Sequence, residues 1–485
     1  MPFSFDNSYV RLPERFFARV LPTPVAEPRL IRLNATLARQ LGLEALSQDV
    51  AARIFTGNLV PDGAEPIATA YAGHQFGGFV PQLGDGRAIL LGEVIDTSGA
   101  RRDIQLKGSG PTPYSRRGDG RAGIGPVLRE YLVSEAMAAL GIPTTRALAA
   151  AWTGENVVRE ELLPGAVLTR VASSHIRVGT FQFFAAQDDV DGTRILADHV
   201  IARHYPAAAQ AEQPYLALLE AVIQAQAQLI PQWLLVGFIH GVMNTDNMSI
   251  AGETIDFGPC AFLDEFDPEA VFSAIDRQGR YAYANQSTIG QWNLIRLAEC
   301  FLPLLNADSK IAIEQAESAL EKYGPTFQAA YQAGLRRKLG LHEEKEGDVE
   351  LGSDFLKAMA ANRADFTLTF RRLADAMVEN EPVRGLFENP GDFDAWATRW
   401  RERLKQEPQE AETRRSAMHR VNPLFIPRNH RIEAVIRAAA DRNDLEPFEE
   451  LLTVLSRPFE DQPELAHYSL PPEADERVLQ TFCGT

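Results

Sequence analysis

Residues 237–259, GFIHGVMNTDNMSIAGETIDFGP, constrain this chain more than any other stretch. A short apolar run leads into a His-Gly and then a polar knot, Asn244, Thr245, Asp246 and Asn247. An apolar pair follows, then a turn over 251–253 and Thr254-Ile255-Asp256-Phe257-Gly258. The spacing predicts a β-hairpin with strands over 248–250 and 254–257. Such a hairpin sets Asn247 just before one strand and Asp256 at the end of its partner, side by side. One amide oxygen and one carboxylate make a poor closed cage for a metal ion. They suit Mg²⁺, which keeps waters and borrows phosphate oxygens. Either half alone reads as a polar turn before a core strand. The two together at this spacing read as a metal site.

His240 and Asn247 are placed as in the protein-kinase catalytic loop H-x-D-x-x-x-x-N, and Asp256-Phe257-Gly258 reads as the metal-binding DFG. The position of the kinase's catalytic Asp is filled by Val242, which accepts no proton. A carboxylate appears instead at Asp246, directly before the metal Asn. The string HGVMNTDNMS followed by IDFGP resembles the selenoprotein O family, kinase-fold proteins that transfer AMP rather than phosphate. That resemblance implies an α+β, two-lobed, protein-kinase-like fold with N- and C-terminal extensions.

Composition narrows the setting. At 485 residues, 45 % apolar and 23 % charged, the chain has room for two or three packed units. A net charge of −17 argues against nonspecific binding to nucleic acid or an anionic membrane. Cys260, Cys300 and Cys483 are too few for a secreted disulfide scaffold. The N-terminus carries no apolar core of a signal peptide, and no stretch reaches the ~20 apolar residues of a membrane span. A soluble, cytoplasmic monomer is expected.

Four segments are expected: an N-terminal extension (1–65), a phosphate-binding first lobe (66–178), a second lobe with the catalytic and metal loop (179–340), and a helical C-terminal extension (341–485). The first holds four turn prolines and one amphipathic helix over 34–43. The string HQFG with QLGDGR is again similar to the selenoprotein O family. Gly84-Asp85-Gly86 reads as a tight turn into a strand over 88–95, and Gly-x-Gly lets backbone N–H groups approach phosphate or ribose. After a turn over 96–101, Ile104 and Leu106 face one side of a strand and Gln105 and Lys107 the other. A helix over 126–140 begins with Pro126 and stops at Gly141-Ile142-Pro143. Glu130 and Glu135 are both candidate partners for Lys107. Five apart on a helix, they point about 140° from each other, so only one faces the strand.

Between residues 101 and 129 stand seven basic residues against two acids, interleaved with glycines, which reads as a mobile anion-binding loop. Arg170 and Arg177 sit beyond a strand-like run. A helical stripe from Pro214 leads to the His-Gly, and Pro231 is expected to kink that helix or end it early. His240 reads as a core histidine that fixes the loop. Helices over 288–305 and 310–322 follow, then a polar break at 342–352 and a helical part over 353–458.

The family resemblance implies a reversed nucleotide, its terminal phosphates held in the first lobe. On that pattern Lys107, Arg170 and Arg177 hold phosphates, and Gly84, Gly86, Arg87, Asp119 and Gly120 line the nucleotide site. Glu130 orients Lys107, Asn247 and Asp256 hold Mg²⁺ or Mn²⁺, and Asp246 is the base. The implied reaction moves AMP from ATP to Ser, Thr or Tyr hydroxyls of protein substrates. The alternatives are UMP transfer from UTP with manganese, γ-phosphate transfer by a kinase, and a non-catalytic pseudokinase scaffold. The resemblance also implies a regulatory disulfide from Cys483 to the catalytic lobe; Cys260, just after DFGP, is the partner expected here, and a free thiol in a reduced cytoplasm is the alternative. Asp256→Ala is expected to abolish transfer and leave the fold intact, since it removes a polar ligand rather than core volume.

Overall fold

Proline and glycine turns cut the first third of the chain into short strands. The computed structural model describes residues 3–377 and 381–482. Its strands are β1 (Phe17–Arg19), β2 (Arg29–Leu33), β3 (Ile67–Thr69), β4 (Gly73–Gln75), β5 (Gly78–Val80), β6 (Ala88–Ile95), β7 (Arg101–Lys107), β8 (Ala122–Gly123), β9 (Arg146–Val158) and β10 (Leu162–Ala172). All but two of these form one eight-stranded antiparallel sheet in the order β1-β3-β6-β7-β10-β9-β2, with β8 on β10. β4 and β5 make a separate two-stranded hairpin. The strands over 88–95 and 103–107 therefore form where expected. The N-terminal segment does more than pack on the sheet, because β1 and β2 are its two edge strands.

Both faces of this sheet are covered, and strand alternation decides what each cover meets. Ile104 and Leu106 join Leu91, Leu148 and Val167 in a core under α1 (Ala35–Gln40) and α2 (Gln48–Phe55). Asn34 caps α1 by accepting from the Leu37 N–H at 3.0 Å, so the expected helix starts on time. The opposite face, with Gln105 and Lys107, is covered by α3 (Ile124–Ala139). Gly141 in the left-handed region, φ +79°, stops that helix as predicted.

Helices take over after β10. α4 (Val178–Ala185) and α5 (Val190–His204) precede α6 (Pro214–Leu235), which packs on α7 (Gln286–Leu305), α8 (Ser309–Leu320) and α9 (Tyr323–Lys338). Of the two outcomes expected at Pro231, an early end does not occur: α6 runs through it to Leu235. Burial of Leu229, Ile230, Pro231, Trp233 and Leu234 outweighs the one backbone hydrogen bond that proline forfeits. β11 (Phe238–Ile239) pairs with β12 (Ala261–Phe262) and closes off the loop between them.

Inside that loop the expected hairpin is absent. Residues 248–250 and 254–257 bond to other parts of the chain rather than to each other. Ile250 N–H donates to Ile176 at 3.0 Å and Val178 N–H to Met248 at 3.0 Å, while Thr254 N–H reaches Pro143 at 2.9 Å. The turn survives, with Gly252 left-handed, but each flank finds a closer partner than its sequence neighbour.

The remainder is helical: α10 (Asp348–Ala361), α11 (Phe366–Leu373), α12 (Glu381–Arg384), α13 (Pro390–Leu404), α14 (Ala411–Val421), α15 (Asn429–Arg442) and α16 (Glu446–Leu455). α10 starts inside the stretch expected to be a polar break. α15 and α16 return to pack on α3. Among the described residues no helix is long and apolar enough to cross a membrane. Cys260 and Cys300 are buried; Cys483, and with it the expected disulfide, lies outside the described residues.

Candidate active site

Three cations converge on one point, two from the sheet and one from the start of α4. Lys107 ends β7, and its Nζ lies 2.5 Å from Glu130 Oε2 on α3. Glu135 is turned away and takes Arg146 at 2.7 Å, as the helical angle between the two glutamates requires. Arg170 lies within β10 rather than beyond a strand, opposite Gln105, whose Oε1 it reaches at 2.6 Å. Arg177 is the N-cap of α4 and donates to the Asp246 carbonyl at 2.7 Å.

Asp256 is where these cations meet. Arg170 and Arg177 each donate to one of its oxygens at 2.7 Å, and Lys107 stands 3.6 Å away. Burial pushes its carboxyl up, but the charges of Arg177, Arg170 and Lys107 prevail and hold it well below the usual range. Its backbone is left-handed, φ +63°, an uncommon state that the ion pairs and the following turn maintain.

The polar knot forms the opposite wall. His240 is buried, with its N–H on Gln286 and its Nε2 donating to the Ile255 carbonyl at 2.9 Å, so it fixes the loop. Asn247 Nδ2 donates to the Val242 carbonyl at 3.0 Å, which leaves the amide oxygen for another partner. Asp246 accepts from Gln75 Nε2 at 3.1 Å through Oδ2, while its Oδ1 is buried with no hydrogen-bond partner. Burial raises its carboxyl to about 6. Gly73 makes room for that carboxylate, since a Cβ there would lie 2.5 Å from Oδ1.

Between the two walls is a cavity of about 800 Å³. Asp246, Asn247 and Asp256 line it with Lys107, Arg170 and Arg177. So do the remaining expected residues, Gly84, Gly86, Arg87, Asp119 and Gly120, while Glu130 stands behind Lys107. Gly84 is left-handed, φ +73°, and any side chain on it would strike the Tyr114 ring. The basic loop is tied down rather than free: Thr112 Oγ1 donates to the Asp85 carbonyl at 2.7 Å and the Ser115 hydroxyl to Gly86. Arg116 and Arg117 are both left-handed within it, at φ +49° and +72°. Asp119 is held at the rim by Arg159 at 2.9 Å.

Sequence reasoning passed over several residues that shape this site. Asp85, read only as part of a turn, is buried, accepts from the Thr69 N–H and hydroxyl, and lies 3.9 Å from Arg177. Asn244 Oδ1 receives the Tyr281 hydroxyl at 2.6 Å and the Phe76 N–H at 3.1 Å. Thr245 Oγ1 receives the His74 N–H at 2.7 Å. The HQFG string was the available signal, because its residues are the ones that bind the polar knot.

The donor set fits a hard divalent cation. The Asp256 carboxylate and the Asn247 amide oxygen, turned from Val242 by the Nδ2 bond, are the ligand type of Mg²⁺ or Mn²⁺. Among the described residues no group of three or more His, Cys, Asp or Glu is clustered to hold a metal. An ion here would take part of its coordination from phosphate and water, the usual condition of Mg²⁺.

Relatives align along the whole chain. The family described as protein adenylyltransferase SelO matches residues 1–456. The protein nucleotidyltransferases YdiU of Rhodopseudomonas palustris (strain BisB18) and Bradyrhizobium sp. (strain BTAi1 / ATCC BAA-1182) are each 66 % identical over 487 aligned residues, spanning 100 % of this chain and 99 % of theirs. That of Methylorubrum populi is 64 % identical, again over 100 % of this chain and 99 % of its own. The chain belongs to the SelO family of protein adenylyltransferases.

Proposed function

We propose that this protein transfers AMP from ATP to hydroxyl side chains of protein substrates and releases pyrophosphate. Its two walls are read as the lobes of a protein-kinase-like fold, with 1–65 and 341–485 as extensions to 66–178 and 179–340. Cysteine usage and the need for ATP support a cytoplasmic location.

In this reading Asn247 and Asp256 hold Mg²⁺ or Mn²⁺, which would neutralise charge developing on the phosphates. Lys107, kept in place by Glu130, and the guanidinium groups of Arg170 and Arg177 take the β- and γ-phosphates. Gly84, Gly86, Arg87, Asp119 and Gly120 border the nucleotide. Asp246 accepts the acceptor's proton as its oxygen attacks the α-phosphorus. The α–β bridging P–O bond breaks, and pyrophosphate leaves against the three cations.

One observation carries the proposal. The unpartnered carboxylate oxygen lies at Asp246, beside the metal-type Asn247, while Val242 fills the place where a kinase keeps its base. The surplus of cations over a lone lysine suits a departing pyrophosphate. Incubation with ATP labelled at the α- or γ-phosphate tests it. Label from the α position is expected in protein with an adenylyl-sized mass increase, and none from the γ position. γ-Label with a phosphoryl-sized increase would restore the kinase reading. UTP as the better donor would point to UMP transfer. Binding of ATP without transfer would leave a scaffold.

A further inference from the structure

The β4–β5 hairpin is built to hold an aromatic ring at the mouth of the cavity. Its turn is Phe76-Gly77, both left-handed at φ +51° and +85°, the pattern of a two-residue hairpin turn. Glycine accepts that conformation freely; for a bulky residue such as Phe it is uncommon. Phe76 is kept there by its N–H, which donates at 3.1 Å to Asn244 Oδ1 and at 3.1 Å to the Tyr281 hydroxyl. Its ring, 5.1 Å from that of Tyr281, remains 37 % exposed.

Two more apolar side chains are left in water nearby. Phe79 on β5 is 41 % exposed, and Ile275, which lines the same cavity as Phe76 and Asp246, is 59 % exposed. Under the turn lies Arg280, its guanidinium carbon 3.7 Å from where a Gly77 Cβ would stand and 4.7 Å from the Trp292 ring centroid. Among the described residues the Arg280 guanidinium stands over the Tyr281 and Trp292 rings, its Nε without a hydrogen-bond partner, and makes no ion pair, in a chain of net charge −17. A fixed, unpaired cation beside exposed apolar groups favours a partner that is apolar and acidic.

We propose that Phe76, Phe79, Ile275 and Arg280 form the docking ledge for the acceptor, an extended segment of the substrate protein. That segment carries an apolar side chain next to its hydroxyl residue and an acidic one toward Arg280. The inference rests on the AMP-transfer reading and deepens it. Continuity of the ledge with the site is the main argument. Gln75, the residue before Phe76, donates to Asp246 at 3.1 Å, so a hydroxyl brought to Asp246 has its neighbours on the ledge. The hairpin thereby links recognition to the base through adjacent residues.

The test is an array of roughly nine-residue peptides with a central Ser, Thr or Tyr and varied flanks, incubated with α-labelled ATP and Mg²⁺. Wild-type protein is expected to label peptides with apolar and acidic flanks about tenfold over glycine-flanked ones. Phe76→Gly, which suits the left-handed turn, and Phe79→Ser are expected to erase the apolar preference. Arg280→Glu is expected to exchange the acidic preference for a basic one. ATP affinity measured by calorimetry stays unchanged in all three. An acidic preference that survives Arg280→Glu overturns the ledge, as does loss of ATP affinity in Phe76→Gly, which would give the ring to the nucleotide base. Label on the protein itself but on no peptide also overturns it. No α-label anywhere sinks the transfer reading instead.

Discussion

Asp246 and Asp256 share one cavity and are driven to opposite states. Burial raises Asp246 from 3.8 to about 6. A carboxyl raised on folding contributes stability that is complete below its unfolded value and lost as pH climbs through the folded one. Above pH 6 the buried charge therefore costs about 3 kcal/mol. Asp246→Asn is expected to raise thermal stability at pH 7.5 and leave it unchanged at pH 4, in metal-free buffer, while abolishing transfer. An equal shift at both pH values would contradict this. The wild-type rate should fall about tenfold per pH unit below about 6 as the base takes up its proton.

Asp256 behaves the other way. Its depressed carboxyl contributes stability above 3.8 that is lost as pH falls through the lower folded value. The expectation that Asp256→Ala leaves the fold intact does not survive the ion pairs. Removing the carboxylate leaves the buried Arg170 with Glu130 at 3.2 Å and the buried Arg177 with Asp85 at 3.9 Å, each short of its nearer counter-charge. A loss of about 3–5 kcal/mol follows, measurable by urea unfolding. Added pyrophosphate should restore more stability to the variant than to wild type. Failure of that rescue would count against these arginines as phosphate ligands.

At the scale of elements, what could be read in advance was local. The alternation of Ile104, Gln105, Leu106 and Lys107 set the faces of β7, and the angle between Glu130 and Glu135 left one of them for Lys107. The hairpin over 248–257 was misjudged because its hydrogen bonds go to Pro143, Ile176 and Val178, partners no local spacing reveals. Gln75 and Asn244 were missed for the same reason: Gln75 meets Asp246 from 171 residues away, and Asn244 meets Phe76 from 168. α3 adds a consequence that the sequence concealed. Glu433 on α15 pairs with the buried Arg129, the neighbour of Glu130, and Ile436 closes on Gly125. Glu433→Ala is expected to cost about 1–3 kcal/mol, since it leaves a buried guanidinium unpaired. ATP affinity should fall with it, because α3 carries the lysine's partner. Calorimetric titration that finds full affinity would separate α15 from the site.

The whole molecule is continuous across its expected segments. One hydrophobic core runs from Tyr9 through α3, α6 and α7 to Tyr468, so no apolar boundary isolates the C-terminal helices. Arg428, fully buried just before α15, donates to Asp264 and to Asp365 and to the Ser469 carbonyl. Asn429 brackets Phe262 in β12 with hydrogen bonds to both its N–H and its carbonyl, at 3.3 and 3.0 Å. Ending the chain at residue 410 would expose α3 and leave Asp264 and Asp365 without their cation. A shared core and shared buried ion pairs unfold together. The full chain is therefore expected to melt in one cooperative transition, with calorimetric and van't Hoff enthalpies in agreement. The truncated chain is expected to be unfolded or aggregated, with no nucleotide binding to measure. A soluble 1–410 fragment that binds ATP would show that the C-terminal helices are dispensable to the site, and that the contacts on α3 do not hold it.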